Sequence, residues 1–129
     1  MRLVILGHCP SKKNSRDIFR NRRTGRMFPG KSDALRTYEE KAALLFRQAW
    51  GARLPLVGDV KIRAVYHYAG KRPDALGFME TIFDAIQAAG IVADDVQLVP
   101  SGMPAIRRIH CVKAQERVEV ELATGVSHD

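Results

Sequence analysis

The nine residues VKIRAVYHY (60–68) constrain the fold more than any other part of the chain. Val60, Ile62, Ala64, Tyr66 and Tyr68 fall on one side of an extended backbone and Lys61, Arg63 and His67 on the other, because successive side chains in a strand point to opposite faces. This is the clearest half-buried strand in the chain. ERVEVEL (116–122) alternates in the same way and reads as a closing strand. The short apolar run RLVILG (2–7), stopped by glycine and proline, adds another strand, and VQLVP (96–100) and AIRRIHCVK (105–113) can supply more.

Two segments carry helical spacing. Ser32 can cap a helix beginning at Asp33, along which Ala34, Leu35, Tyr38, Ala42, Leu45, Phe46 and Ala49 recur up to Trp50-Gly51. A second helix is expected from Pro73 to Ala89, with proline at its first position and Gly90 as its left-handed stop. Its core face is expected to hold Ala75, Leu76, Met79, Ile82, Phe83 and Ile86, with Gly77, Glu80, Asp84 and Gln87 on a polar stripe. These elements predict an α+β (mixed α/β) fold: a single domain over residues 1–129, a mixed sheet, and two main helices on one face. No apolar run approaches the roughly 20 residues that span a bilayer, which excludes a transmembrane helix and leads to the expectation of a cytoplasmic protein without a membrane partner.

The net charge of +7 is placed unevenly. Lys12, Lys13, Arg16, Arg20, Arg22, Arg23, Arg26 and Lys31 lie in one stretch that holds a single anion, Asp17, so this stretch carries the whole surplus of the chain. RDIFRNRRTGRMF reads as a basic hairpin turning near Thr24-Gly25, and such an asymmetry favours a polyanionic partner, above all nucleic acid. The two cysteines, Cys9 and Cys111, are expected as free thiols. Each follows a histidine, but neighbours on a strand diverge, so a zinc site is not the favoured reading.

Against this basic background stand five carboxylates: Asp74 at the start of the second helix, Glu80 and Asp84 one turn apart on its polar stripe, and Asp94-Asp95 beyond its glycine stop. They could be a cap, a solvated face and a turn. A protein that binds a polyanion, however, gains from clustered carboxylates only when a cation sits among them, and Mg²⁺ takes such oxygen ligands. A basic cradle around an acidic metal centre suits phosphodiester hydrolysis.

PSKKNS (10–15), together with RPDALGFMETIFDAIQAAGIVADDVQLV (72–99), resembles the RusA family of Holliday-junction resolvases. Asp74, FDAI (83–86), Gly90 and DDVQ (94–97) match that family's pattern in order and spacing, and the resemblance extends over nearly the whole chain. It implies a RusA-like fold and a homodimeric, Mg²⁺-dependent endodeoxyribonuclease that resolves four-way junctions in DNA recombination and repair. By this resemblance Asp74, Asp94 and Asp95 carry over as catalytic or metal-binding residues. Lys12, Lys13, Asn14, Arg16, Arg20, Arg22, Arg23 and Arg26 are expected to hold the DNA backbone.

Three positions depart from the family: Leu76 replaces an aspartate, Gly77 an asparagine and Glu80 a lysine. Glu80, or Asp84 on the same stripe, is the candidate to replace the missing carboxylate as a metal ligand. If neither does, the alternative is a non-catalytic nucleic-acid-binding dimer with a degenerate active site. A metal-dependent phosphoesterase of small substrates is a third reading, disfavoured by the extended basic segment. The acidic residues are expected to converge on one ion.

Overall fold

The 60–68 segment is the strand around which the rest is arranged. The computed structural model describes residues 1–11, 16–20, 22–101 and 105–124. Its elements are β1 (Arg2–Leu6), β2 (Arg16–Arg20), β3 (Met27–Lys31), α1 (Asp33–Trp50), β4 (Val60–Tyr68), α2 (Ala75–Ala88), β5 (Leu98–Pro100), β6 (Ile106–His110) and β7 (Arg117–Thr124), with short 3₁₀ turns at Asp95–Gln97 and Lys113–Gln115. One edge of β4 pairs antiparallel with β7, from Val60 opposite Thr124 to His67 opposite Arg117. Its other edge takes two short parallel partners in succession, β5 from Leu98 opposite Val60 and β6 from Ile106 opposite Ala64. β1 completes the sheet on the far side of β7, and β2 and β3 form a separate two-stranded hairpin. The fold is α+β with a mixed five-stranded sheet, as expected.

The alternation in β4 is realised: Val60, Ile62, Ala64 and Tyr66 are buried, whereas Lys61 and Arg63 are exposed. Ile5 of β1 and Val118, Val120 and Leu122 of β7 share the buried face, on which Phe46 of α1 and Phe78, Ile82 and Ile86 of α2 pack. Each such side chain contributes about 1.5–3 kcal/mol through removal from water. The opposite face presents Arg2, Val4, Leu6, Lys61, Arg63 and Glu121 to solvent. Among the described residues no helix is long and apolar enough to cross a membrane.

Ser32 caps α1 as expected, its hydroxyl accepting from Leu35 N at 3.2 Å. The expected boundaries of α2 shift slightly. Ala75 is its first residue and Asp74 its N-cap, and Pro73 stays outside with its carbonyl accepting from Arg108 Nη1 at 2.9 Å. Gly90 takes the left-handed φ of +78° required after the last turn.

The expected core face of α2 needs correcting. Leu76 is 65% exposed, while Gly77, Phe78, Thr81 and Ala85 are buried. The helix is covered by the sheet, by α1 and, at Gly77 and Thr81, by the segment leading out of β1, so its buried arc is wider than a single sheet-facing stripe. Val96 and Gln97, expected to begin a strand, lie in the 3₁₀ turn ahead of β5.

The connection from β4 through α2 to β5 fixes where the acidic residues can go. α2 starts beyond the C-terminal end of β4, where Pro73 meets Arg108, itself paired with Tyr66. It then runs back along the sheet. Gln97, just after it, donates to Leu56 O at 3.0 Å and Gly58 O at 2.9 Å, immediately ahead of the first residue of β4.

Candidate functional site

At the N-terminal end of α2 the chain leaving β1 forms a strap. Gly7 turns it with φ of +99°, Cys9 N donates to the Tyr66 hydroxyl at 2.9 Å, and Pro10 O accepts from Thr81 Oγ1 at 2.8 Å. Ser11 then lies directly over Gly77. A β-carbon at position 77 would overlap Ser11 Oγ, approach Ser11 Cβ to 2.9 Å, and stand 3.5 Å from Asp74 Oδ2. The glycine that replaces the asparagine of the resembled motif thus makes room for Ser11, and Ser11, Gly77 and Asp74 are immediate neighbours. Asp74 is half-buried, and its side chain makes no capping hydrogen bond to the helix.

The other candidate carboxylates lie elsewhere. Glu80 is exposed on the surface of α2. Asp84 is half-buried in a groove against α1, beside Arg36 and Arg47 rather than beside Asp74. Asp94 caps the 3₁₀ turn: its carboxylate accepts from Val96 N at 3.1 Å, and Gln97 Oε1 accepts from Asp94 N at 3.2 Å and Ala93 N at 2.9 Å. Asp95 is half-buried in that turn. Ala93 O accepts from Gln87 Nε2 at 3.4 Å, which docks the turn on the last turn of α2.

Convergence of the acidic residues on one ion is therefore corrected. Asp74 and the Asp94-Asp95 pair stand at opposite ends of a 14-residue helix, about 20 Å apart along its axis at 1.5 Å per residue. Ligands of a single Mg²⁺ must have oxygens about 2.1 Å from it, so these three cannot share an ion within one chain. Among the described residues no group of three or more His, Cys, Asp or Glu side chains could hold a metal ion.

The basic segment is placed in part. Lys12, Lys13 and Asn14 lie outside the described residues. Arg16 and Arg20 belong to β2, opposite Lys31 and Met27 of β3. Arg22, Arg23 and Arg26 are exposed at the tip, where Thr24 Oγ1 accepts from Arg26 N at 3.2 Å and Gly25 has φ of +70°. Lys71 and Arg72, also exposed, immediately precede Pro73-Asp74 and put positive charge next to that carboxylate in the chain. Their sequence signal is adjacency to Asp74, which the concentration of charge upstream overshadows.

One cluster escapes sequence reasoning altogether. Glu116, 7% exposed, receives three donors on one carboxylate oxygen. These are His8 Nδ1 at 3.1 Å, the Tyr66 hydroxyl at 3.0 Å and Ala69 N at 3.3 Å. Burial works against its charge, but the hydrogen bonds from His8, Ala69 N and Tyr66 prevail and hold the carboxyl below its usual range. Since the ionised carboxylate carries no proton, the proton between it and His8 sits on Nδ1. The neutral ring therefore presents an unprotonated Nε2, and the His8 side chain is 69% exposed. Desolvation raises the Tyr66 hydroxyl far above its ordinary value, so it remains a donor. His8 and Glu116 are 108 residues apart, with no local pattern linking them.

No protein-family model matches the chain, and no curated protein matches it at a significant level.

Proposed function

We propose that this chain is a structure-selective endodeoxyribonuclease of the RusA type, acting as a homodimer on branched DNA and hydrolysing phosphodiester bonds with Mg²⁺. The observation that carries the reading is the ordered motif from Asp74 through FDAI to DDVQ, joined in one chain to the basic segment from Lys12 to Lys31, which carries the charge surplus and exposes Arg22, Arg23 and Arg26. Support also comes from the half-buried Asp74 at a helix N-terminus, bordered by Lys71 and Arg72. Phosphate contacts from such cations position a nucleic acid without reading its sequence, which suits a protein that selects branch geometry.

The carboxylates do not fit a Mg²⁺ centre inside one chain, and no chemical step is routed through one. A centre of this kind needs ligands from two copies, the Asp74 end of one α2 meeting the Asp94-Asp95 turn of another. This makes the dimer part of the proposal, in keeping with the approximate two-fold symmetry of a four-way junction.

The separation of the carboxylates and the exposed Leu76 also favour a second reading, a DNA-binding dimer whose nuclease chemistry has decayed. Incubating the protein with a synthetic four-way junction, with and without Mg²⁺, separates the two. Paired nicks that require Mg²⁺ are expected. Tight junction binding with no nicking at any Mg²⁺ concentration would overturn the nuclease in favour of the binder.

A further inference from the structure

We infer that His8 is a general base for phosphodiester hydrolysis at the Asp74 end of the molecule, with Glu116 as the residue that positions it. The inference rests on the nuclease reading and deepens it, since nothing in the resembled motif assigns a role to either residue.

The geometry is that of a carboxylate-oriented imidazole. A buried anion fixes the ring through Nδ1 and leaves Nε2 as an exposed acceptor, the arrangement that prepares a histidine to take a proton. A surface histidine without such a partner would rotate freely and divide itself between two tautomers. Here the ring is anchored to Glu116 at 3.1 Å and to the Tyr66 hydroxyl at 3.2 Å. Glu116 is held in turn by Tyr66 and by Ala69 N, so the anchor has its own supports.

Position adds to this. His8 belongs to the strap that ends with Ser11 over Gly77 and beside Asp74. Three residues of backbone span at most about 10 Å, which keeps His8 near the Asp74 end of the strap, with its imidazole bordering a cleft against α1. Among the described residues, the charged and titratable groups facing His8 are Glu116, Tyr66 from β4, and Lys41, Tyr38 and Asp33 across a cleft of about 420 Å³ formed with α1. Lys41 is occupied in donating to Leu6 O at 2.6 Å. Of these groups only His8 combines exposure with a buried carboxylate partner.

In the step itself, Nε2 of neutral His8 accepts a proton from water as the water oxygen bonds to phosphorus. The bond between phosphorus and the leaving oxygen breaks, that oxygen takes a proton from solvent, and the imidazolium returns its own proton to solvent. Glu116 stays ionised throughout and stabilises the imidazolium.

The test measures junction nicking with Mg²⁺ against pH for the wild type, His8→Gln, His8→Gly and Glu116→Gln, with the melting temperature of each. The wild-type rate should rise with pH along an acid limb, because only the neutral ring can accept a proton. His8→Gln should lower the rate about 100-fold and abolish that limb. Added imidazole should restore part of the His8→Gly rate. Glu116→Gln should lower the rate, since the ring loses the buried anion that orients it through Nδ1. A His8→Gln protein that nicks at the wild-type rate with the same limb would overturn the assignment while leaving the nuclease intact. A loss of melting temperature with an unchanged limb would show that His8 only neutralises Glu116, and would overturn it equally. Absence of nicking by the wild type would instead remove the nuclease reading, and His8's role with it.

Discussion

At the residue scale, Glu116 is a buried carboxylate held by three donors. Its folded-state carboxyl lies below the ordinary value of 4.5, so its contribution is complete above that value and is lost as pH falls through the folded-state one. Glu116→Gln should cost about 1–3 kcal/mol at neutral pH, measured by urea unfolding, and should flatten the acid dependence of stability. Gly77 makes a second prediction. Gly77→Ala gains up to about 1 kcal/mol of helix propensity but overlaps Ser11, and overpacking of this kind costs about 1–3 kcal/mol. The variant should be neutral to destabilised, and Ser11→Gly in the same chain should recover the propensity gain. Leu76 behaves oppositely. Exposed in the first turn of α2, it can become aspartate with a stability change within about 0.5 kcal/mol, helped by the helix dipole. If the missing carboxylate limits activity, Leu76→Asp should increase junction nicking; an unchanged rate would mean that another group replaces it.

At the scale of elements, the β2–β3 hairpin offers a measurable charge effect. Replacing Arg22, Arg23 and Arg26 together by alanine should weaken binding to duplex arms. Its salt dependence should flatten by about 0.9 in log–log slope for each phosphate that the hairpin no longer neutralises. An unchanged slope would make the tip a solvated loop. This hairpin, α1 with its Ser32 cap and the whole of β4 are legible in the sequence because period, cap and turn residues agree there. The 3₁₀ turn is not. Val96 and Leu98 look like alternate residues of a strand, but Asp94 and Gln97 satisfy the local backbone N–H groups through their side chains, and that holds the segment in a turn. The buried arc of α2 departs from its helical wheel for a tertiary reason, since a wheel cannot show that a strap crosses at Gly77 and Thr81. The His8–Glu116 pair has no sequence signature at all.

At the scale of the whole molecule, the separation of the acidic residues follows from connectivity. A helix that returns antiparallel to the strand before it carries its cap and its following turn to opposite ends of the sheet. The proposed centre therefore ties metal binding to association. Mg²⁺ should raise the melting temperature only at protein concentrations where sedimentation shows a dimer, because an ion bound across two copies stabilises the pair and not the single chain. A Mg²⁺-dependent shift that persists in dilute monomer would place the ion within one chain and refute the shared centre.

The two thiols differ in a way that turns the strap into its own reporter. Cys9, within the strap, points inward and is 2% exposed, and desolvation pushes its thiol up to about 12, whereas Cys111 is only half-buried. An alkylating reagent at neutral pH should modify Cys111 promptly and reach Cys9 only when the Tyr66 and Thr81 hydrogen bonds open together. The slow second modification, followed by mass, then counts how often the strap lifts. A junction seated against His8 and Asp74 should slow that clock, without any need for the DNA to be cut.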